Sequence, residues 1–405
     1  MSGQAWTPGT EEEAAALIGS AASENRQLRL VGTGTKSDAI ADEGDVLSSL
    51  GLSGIMAYNP AELVITARAG TQMTVIEQAL DEHKQMLAFE PGHWGEALGA
   101  PGGQTIGGVA ATNQSGSRRF VAGAARDSLL GVRFVNGRGE IIKNGGRVMK
   151  NVTGLDLVKL LAGSWGSLGF LTEVSFKVLP RPAMEKTLAI TVADDSDATV
   201  MMAAAMATSA DITGAAHLPA ETVKALDTGV LGDISSTCLL RFEGFEASID
   251  ERIGRVKPHL PQNDGMTVID AEQSTKLWSD VNDLTMFAHD KEMDLWKLSL
   301  PPSQGIGAAK ALCEQGNASW FADWQGGLIW LATGLSADIV REVVQGNGGH
   351  ATLMRVGSQS QTTAPLFQPQ SAAISTLSHA IQQSLDPQHV FRSPMNFPVK
   401  GPMAA

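Results

Sequence analysis

Two short stretches carry residue types suited to gripping an anion through backbone N–H groups. The first, LRLVGTGTKSD (Leu28 to Asp38), is an apolar strand-like run that ends in two glycines, two threonines and a lysine. The second, PGGQTIGGVAATNQSG (Pro101 to Gly116), is glycine-rich and has no charged residue. Small residues after a strand let main-chain donors approach a phosphate, and Lys36 adds charge. Two familiar phosphate motifs fail on spacing. A P-loop needs glycine where Thr35 and Leu30 stand, and a G-x-G-x-x-G fingerprint needs glycine where Ser37 stands. A non-standard phosphate cradle and an ordinary glycine turn both fit the segment taken alone. A third glycine-broken turn, GSWGSLGF (Gly163 to Phe170), falls in the same half of the chain, and three such bends at strand ends suggest one extended ligand approached by backbone.

The elements that must position these bends are readable in outline. Thr10 and Glu13 form a capping-box pair ahead of EEAAALIGSAA, LRLV follows as a buried strand, and Glu62 to Gly70 (ELVITARAG) reads as a second strand. Between Gly70 and that strand's successors, Thr74 and Glu77 are placed to cap the helix VIEQALDEH, which predicts a β-α-β unit with the glycine loop at its strand end. GVRFVNGRGEIIKNG reads as two strands hinged at Asn136-Gly137. Leu157, Leu160 and Leu161 mark the buried stripe of a short helix, and Val174, Phe176 and Val178 alternate inward along a strand. After the proline-bounded PRPAMEK the texture changes to alanine-rich helices such as DATVMMAAAMATSA and strands such as STCLLRFEG and LIWLATG. A polar loop, Ser358 to Gln370, leads to a final helix, AAISTLSHAIQQSLDP.

Composition narrows the function classes. The chain has 405 residues, 43% hydrophobic and 18% charged, with a formal net charge of −13, which fits a multidomain globular protein and argues against a nucleic-acid surface. Two cysteines, Cys238 and Cys313, are too few for a disulfide framework or an iron–sulfur cluster. The first residues have no basic region before an apolar run, and no stretch reaches a membrane-spanning length, so a cytoplasmic protein is expected, with contact to the inner membrane face through partners left open.

The strings GTGTKSD, PGGQTIGGVAATNQSGSRRFVAGAARDSLLGVRFVNGRGEII and KNVTGLDLVKLLAGSWGSLGFLTEVSFKVLPRP resemble the FAD-binding domain of the vanillyl-alcohol-oxidase (PCMH-type) flavoprotein superfamily. Their order and spacing resemble the E subunits of glycolate oxidases within it. The resemblance is strong over Leu28 to Pro182 and recognisable in LWKLSLPP, WQGGLIWL, GGHATLMR and LDPQHVF. It implies an α+β fold: a PCMH-type FAD domain over residues 1–182, made of a β-α-β part and a mixed-sheet part; an α+β cap with an antiparallel sheet over 183–356; and a loop and helix over 357–405 returning to the first domain. It further implies that Gly32, Thr33, Gly34, Thr35 and Lys36 wrap the FAD pyrophosphate. Pro101, Gly102, Gly103, Thr105, Gly107, Gly108, Thr112, Asn113 and Gly116 would follow the flavin and ribityl side, and Gly169, Phe170 and Leu171 the adenine end. Asp127 and Asp156, typical of the family, read as turn-holding or helix-capping residues.

Two departures from the superfamily matter. Thr35, Lys36 and Ser37 occupy the neighbourhood where many members carry a flavin-linking histidine, so FAD is expected to be non-covalent. The histidine-rich G-H-x-G-D-G-N-x-H stretch that binds a metal in the catalytic hydroxyacid dehydrogenases has no counterpart among the eight histidines, and no metal is expected. The implied role is therefore that of the FAD-binding subunit of a glycolate oxidase complex, beside a flavin-containing D subunit and an iron–sulfur F subunit. It would take part in converting glycolate, a small 2-hydroxyacid, to glyoxylate without holding the main hydroxyacid site. A docking subunit with little or no FAD, and a stand-alone flavin dehydrogenase, are the alternatives. For a proton acceptor and a carboxylate-binding cation, the best local pairing is His350 with Arg355, followed by Lys297 and His217; Trp278, Trp296, Trp320, Trp324 and Trp330 are candidates to line a pocket or the core.

Overall fold

The computed structural model describes residues 3–36, 44–100, 102–146, 154–226, 229–231, 234–261 and 265–392. Strands β1 (Ala5–Trp6), β2 (Leu28–Val31) and β3 (Asp45–Ser48) form a small parallel sheet with β3 in the middle. The helix Glu11–Ser23 crosses between β1 and β2, and it begins where the sequence predicts: the Thr10 hydroxyl accepts from Glu13 N–H at 3.1 Å. The Glu13 carboxylate reaches back one residue further than a capping box would, to Gly9 N–H. Ala14, Ile18 and Ala21 of this helix pack on Leu28 and Leu47, and the chain's far end joins the same core through Val390 and Phe391. Asp386, fully buried, holds that end by accepting from the N–H groups of Val390 and Phe391.

A second sheet follows, with every pair antiparallel: β4 (Ile55–Asn59), β5 (Val64–Arg68), β9 (Phe170–Lys177), β7 (Leu129–Val135) and β8 (Ile141–Gly145), in that spatial order. Two strand fragments, β6 (Gln85–Met86) and β10 (Leu179–Pro180), pair alongside. The sequence-based β-α-β unit between LRLV and ELVITARAG is not formed. β2 and β5 lie in different sheets, because β3, too short and irregular in composition to announce itself, takes the position beside β2. The helix after β5 also starts earlier than predicted, at Met73, with Gln72 at its N-cap; Met73 N–H is anchored on the Gln104 carbonyl at 2.9 Å, so tertiary pairing fixes the start and Thr74 has no capping role. At the predicted hairpin, β7 and β8 are joined by residues 136–140. Asn136 Oδ1 accepts from the N–H groups of Arg138 and Glu140, and the left-handed position is Gly139 (φ +77°), not Gly137.

The third sheet has eight strands: β11 (Met184–Thr191), β12 (Ile212–Leu218), β13 (Thr237–Gly244), β14 (Met266–Ile269), β15 (Asp294–Ser299), β16 (Ala318–Asp323), β17 (Leu328–Thr333) and β18 (His350–Arg355). Their order is β14-β11-β13-β12-β16-β17-β15-β18, all antiparallel, with the two halves joined at the single pair His217–Ala322. Helices 197–206, 246–256, 302–313 and 337–346 cover one face. The opposite face packs on helix 271–283 and also on Trp94, Ala97 and Leu98, which belong to the first half of the chain. That junction is pinned by polar ties. Arg241 grips Glu90 with both terminal guanidinium nitrogens, Arg118 pairs with Glu243, Ser117 Oγ bonds Asp323 at 2.7 Å, and the Trp324 indole N–H donates to the Gly116 carbonyl at 2.9 Å.

Candidate functional site: a carboxylate-free groove ending on a cation cluster

At the end of β2 the chain turns through Gly32–Lys36 and meets, across a groove, the start of helix 106–112 and the bend before β9. The lining brings together Gly32, Thr33, Gly34, Thr35, Lys36, Thr105, Gly107, Gly108, Thr112, Gly169, Phe170 and Leu171, twelve of the residues singled out in the sequence. Backbone closeness explains the glycines best at two positions. A Cβ on Gly32 would fall 2.3 Å from Thr105 Oγ1, and one on Gly107 would fall 2.7 Å from both the Ala69 carbonyl oxygen and its Cβ. Thr105 is the N-cap of helix 106–112, its hydroxyl accepting from Gly108 N–H at 3.1 Å, so loop and helix start are locked by one side chain.

The donor set fits a diphosphate-containing nucleotide. The groove wall carries threonine and serine hydroxyls, closely approaching main chain and one lysine, and no aspartate or glutamate. A separate, larger cavity of about 900 Å³ carries His93, Arg181 and Arg241 but more carboxylates, Glu77, Asp81, Glu90, Glu185 and Glu243 among them, and suits such a ligand less well. No group of three His, Cys, Asp or Glu able to hold a metal occurs among the described residues.

Lys36 ends the groove and opens a second feature. Its ammonium donates to Gln104 Oε1 at 3.0 Å and lies 6.0 Å from the Trp94 ring centre. Lys297, on β15, stands 5.6 Å from the Trp94 ring and 5.5 Å from the Trp324 ring, and the Arg119 guanidinium stacks 4.3 Å from Trp324. Burial, and then Lys297, pull Lys36 down to about 7; burial, and then Arg119, pull Lys297 down to about 8. His350, exposed at the start of β18, belongs to the same neighbourhood: partial burial of its ring, then Lys297 and Arg119, lower its proton affinity.

The remaining sequence candidates are placed elsewhere. Arg355 lies five positions beyond His350 along β18, past a register shift against β15, and its guanidinium is drawn away to the carbonyls of Ala97, Phe287, Asp290 and Met293. Asn113 caps the end of helix 106–112 in a left-handed turn and accepts from Arg126 N–H. Gly116 is the carbonyl that holds Trp324, Gly103 sits against Gln72, and Gly102 lies off the groove wall; Pro101 lies outside the described residues. Asp127 and Asp156 do hold turns, accepting from Ala124 and Lys159 N–H respectively. His217 is fully buried on Asp195, away from the groove, and Trp278, Trp296 and Trp320 are core residues, whereas Trp324 frames the cluster and Trp330 backs Trp94 at 5.0 Å. Trp94 and Arg119 carry no local signal in the sequence; Trp165, also on the groove wall, sits in the GSWGSLGF bend at φ +52°, a strained value for a bulky residue.

Comparison with known proteins matches this geometry. Residues 4–145 fit the FAD binding domain family. The chain is 32% identical to glycolate oxidase subunit GlcE of Escherichia coli (strain K12) over 344 residues, 84% of this chain and 83% of that protein. It is 39% identical to glycolate oxidase subunit GlcD of Bacillus subtilis (strain 168) over 127 residues, 31% of this chain and 25% of that one. In three dimensions it resembles p-cresol methylhydroxylase with substrate bound, with a TM-score of 0.73 at 13% identity over 95% of this chain and 87% of that chain, a likeness of fold. A groove that offers a nucleotide diphosphate hydroxyls, backbone and a lysine, on a chain aligned along most of its length with one relative, leads to one conclusion: the chain belongs to the family of glycolate oxidase subunit GlcE, FAD-linked oxidoreductases whose cofactor is FAD.

Proposed function

We propose that this chain is the FAD-binding subunit of a 2-hydroxyacid oxidase complex acting on glycolate, and that it hands electrons to partner subunits, one flavin-bearing and one iron–sulfur. The observation that carries the reading is the carboxylate-free groove leading from the Gly32–Lys36 loop to the cation cluster where the second and third sheets meet. The Gly32–Lys36 loop and Thr105 would hold the diphosphate, the Gly169–Leu171 bend the adenine end, and Gly107, Gly108 and Thr112 the stem between, without a covalent bond. Residues 1–182 would house the cofactor, 183–356 cap it, and 357–405 return the chain to the first core. Bound FAD supplies a two-electron acceptor. With the main hydroxyacid site expected on the flavin-bearing partner, this chain would offer a subsidiary one, in which Trp94 and Trp324 exclude water and His350, held below the usual histidine range, can accept a hydroxyl proton.

The test is co-expression with candidate flavin-bearing and iron–sulfur partner chains, purification of the assembly, and anaerobic addition of glycolate while the flavin absorbance is followed. The expected result is a stable assembly whose flavin bleaches with glycolate and loses that response when this chain is omitted. Association with neither partner, with no glycolate-dependent bleaching in any combination, would refute the proposal.

A further inference from the structure

We propose that Lys36, Arg119 and Lys297, set against the faces of Trp94 and Trp324, form a seat for the carboxylate of a small organic acid. This rests on the FAD reading only for its setting beside the cofactor groove; the seat is built from the chain's own side chains.

The three cations converge from distant elements: the loop after β2, the helix 119–122 and strand β15. Lys297 sits between the other two, sharing the Trp94 ring with Lys36 and the Trp324 ring with Arg119. Among the described residues no carboxylate pairs with any of the three. Among the described residues the acceptor for Lys36 is the neutral amide of Gln104. Asp127, whose field reaches Arg119, is engaged with Ala124 N–H.

The other enclosed arginines are treated differently. Arg241 has Glu90, Arg118 has Glu243, Arg341 has the Pro365 and Phe367 carbonyls, and Arg355 has four carbonyls. Like charges gathered in a poorly solvated place oppose folding, as the lowered proton affinity of both lysines attests. Such an arrangement persists where an anion completes it.

The shape of the seat selects the anion. Both indole N–H groups are spent elsewhere, Trp94 on the Asn282 carbonyl and Trp324 on that of Gly116, so only flat apolar faces border the cations. A planar guanidinium lying over the Trp324 face matches a flat two-oxygen group, and two ammoniums can reach its remaining lone pairs. The Gly32–Thr35 main chain and Thr105 supply most of the diphosphate cradle, so Lys36, at the end of the groove, borders both the cradle and the seat. His350, beside Lys297 and Arg119, then lies near the carbon next to the bound carboxylate, where a 2-hydroxyacid carries its hydroxyl.

The experiment uses the full-length chain loaded with FAD. Calorimetric titration with oxalate, glycolate, ethylene glycol and inorganic phosphate is run alongside the visible flavin spectrum, and FAD content is measured separately after denaturation. Oxalate and glycolate are expected to bind and ethylene glycol not. Lys297→Met should weaken oxalate at least tenfold with FAD content unchanged, and Lys297→Arg should restore most of the affinity. Equal oxalate affinity in wild type and Lys297→Met, or phosphate binding as tightly as oxalate, overturns the seat. If the wild-type chain takes up no FAD, the proposed function fails, and oxalate titration of the same FAD-free protein still decides the seat by the same comparison. Should Lys297→Met fail to fold, Arg119→Gln is read by the same criteria.

Discussion

Replacing Gly32 by alanine probes the groove through one contact. The added methyl would sit 2.3 Å from Thr105 Oγ1 and 3.1 Å from its Cγ2, so either the Gly32–Lys36 loop moves away from helix 106–112 or Thr105 abandons its cap. Overpacking of this kind costs about 1–3 kcal/mol, and loss of the cap bond to Gly108 N–H about 1 kcal/mol. If the loop yields, the cost falls on the bound state, and FAD affinity drops about 5- to 150-fold at 1.4 kcal/mol per decade. Thr105→Ala alone removes the cap and leaves space, so it should weaken FAD no more than about fivefold. The double variant should bind FAD more tightly than Gly32→Ala, because the two changes share one cavity and their effects are not additive. Fluorescence titration of FAD into the four apo proteins measures all of this. Full affinity in Gly32→Ala, or a double variant weaker than both singles, would refute the idea that this contact sets the width of the cradle.

Three further outcomes follow from the same structure. Arg355→Met should lower the melting temperature sharply, since it strands four main-chain carbonyls at a buried site for about 3–5 kcal/mol, while glycolate turnover per folded molecule stays near wild type; a catalytic arginine would show the reverse. Oxalate affinity should fall as pH rises from 6 to 9, as Lys36 (about 7) and Lys297 (about 8) lose protons; Arg119 stays charged and neighbouring His350, already below its usual range, is neutral across most of that window. His93, raised by its contact with Glu77, and Asp127 face the same cations, so the profile is compared with His93→Gln and Asp127→Asn; a flat profile in wild type would remove the lysines from the seat. Asp323, its carboxyl pushed up to about 6 by burial, binds more protons folded than unfolded between its ordinary value and 6, so its stabilising contribution is lost as pH rises through that range. Asp323→Asn keeps an Oδ1 acceptor for Trp324 N–H and turns an amide N–H donor toward the Ser117 hydroxyl oxygen, whose own proton can go to Asn282 Oδ1, and should be more stable than wild type at pH 8 by about 1–3 kcal/mol, with no gain at pH 4, as read by denaturant unfolding.

The groove was legible in the sequence because its demands are local. Where a Cβ would come within 3 Å of another chain segment, as at Gly32 and Gly107, glycine marks the place, and the hydroxyl-bearing neighbours mark the ligand's polarity. The regular strands were legible for the same reason, through alternation such as Val174, Phe176 and Val178. What sequence could not supply is whatever depends on which sheet a strand joins. β3 took the place beside β2 that ELVITARAG was expected to hold, and Gln72, not Thr74, heads its helix because Gln104 docks there. The cation cluster unites positions 36, 94, 119, 297 and 324, neighbours only after the second and third sheets meet. His350 and Arg355, paired by closeness in sequence, part company because four main-chain carbonyls of distant segments claim the Arg355 guanidinium.

The measurement bearing most directly on the whole account is the flavin content of the purified full-length chain after incubation with FAD and desalting, by visible absorbance and by analysis of the supernatant after heat denaturation. One FAD per chain, all of it released on denaturation, is predicted; a colourless protein that takes up no FAD on titration would contradict the account.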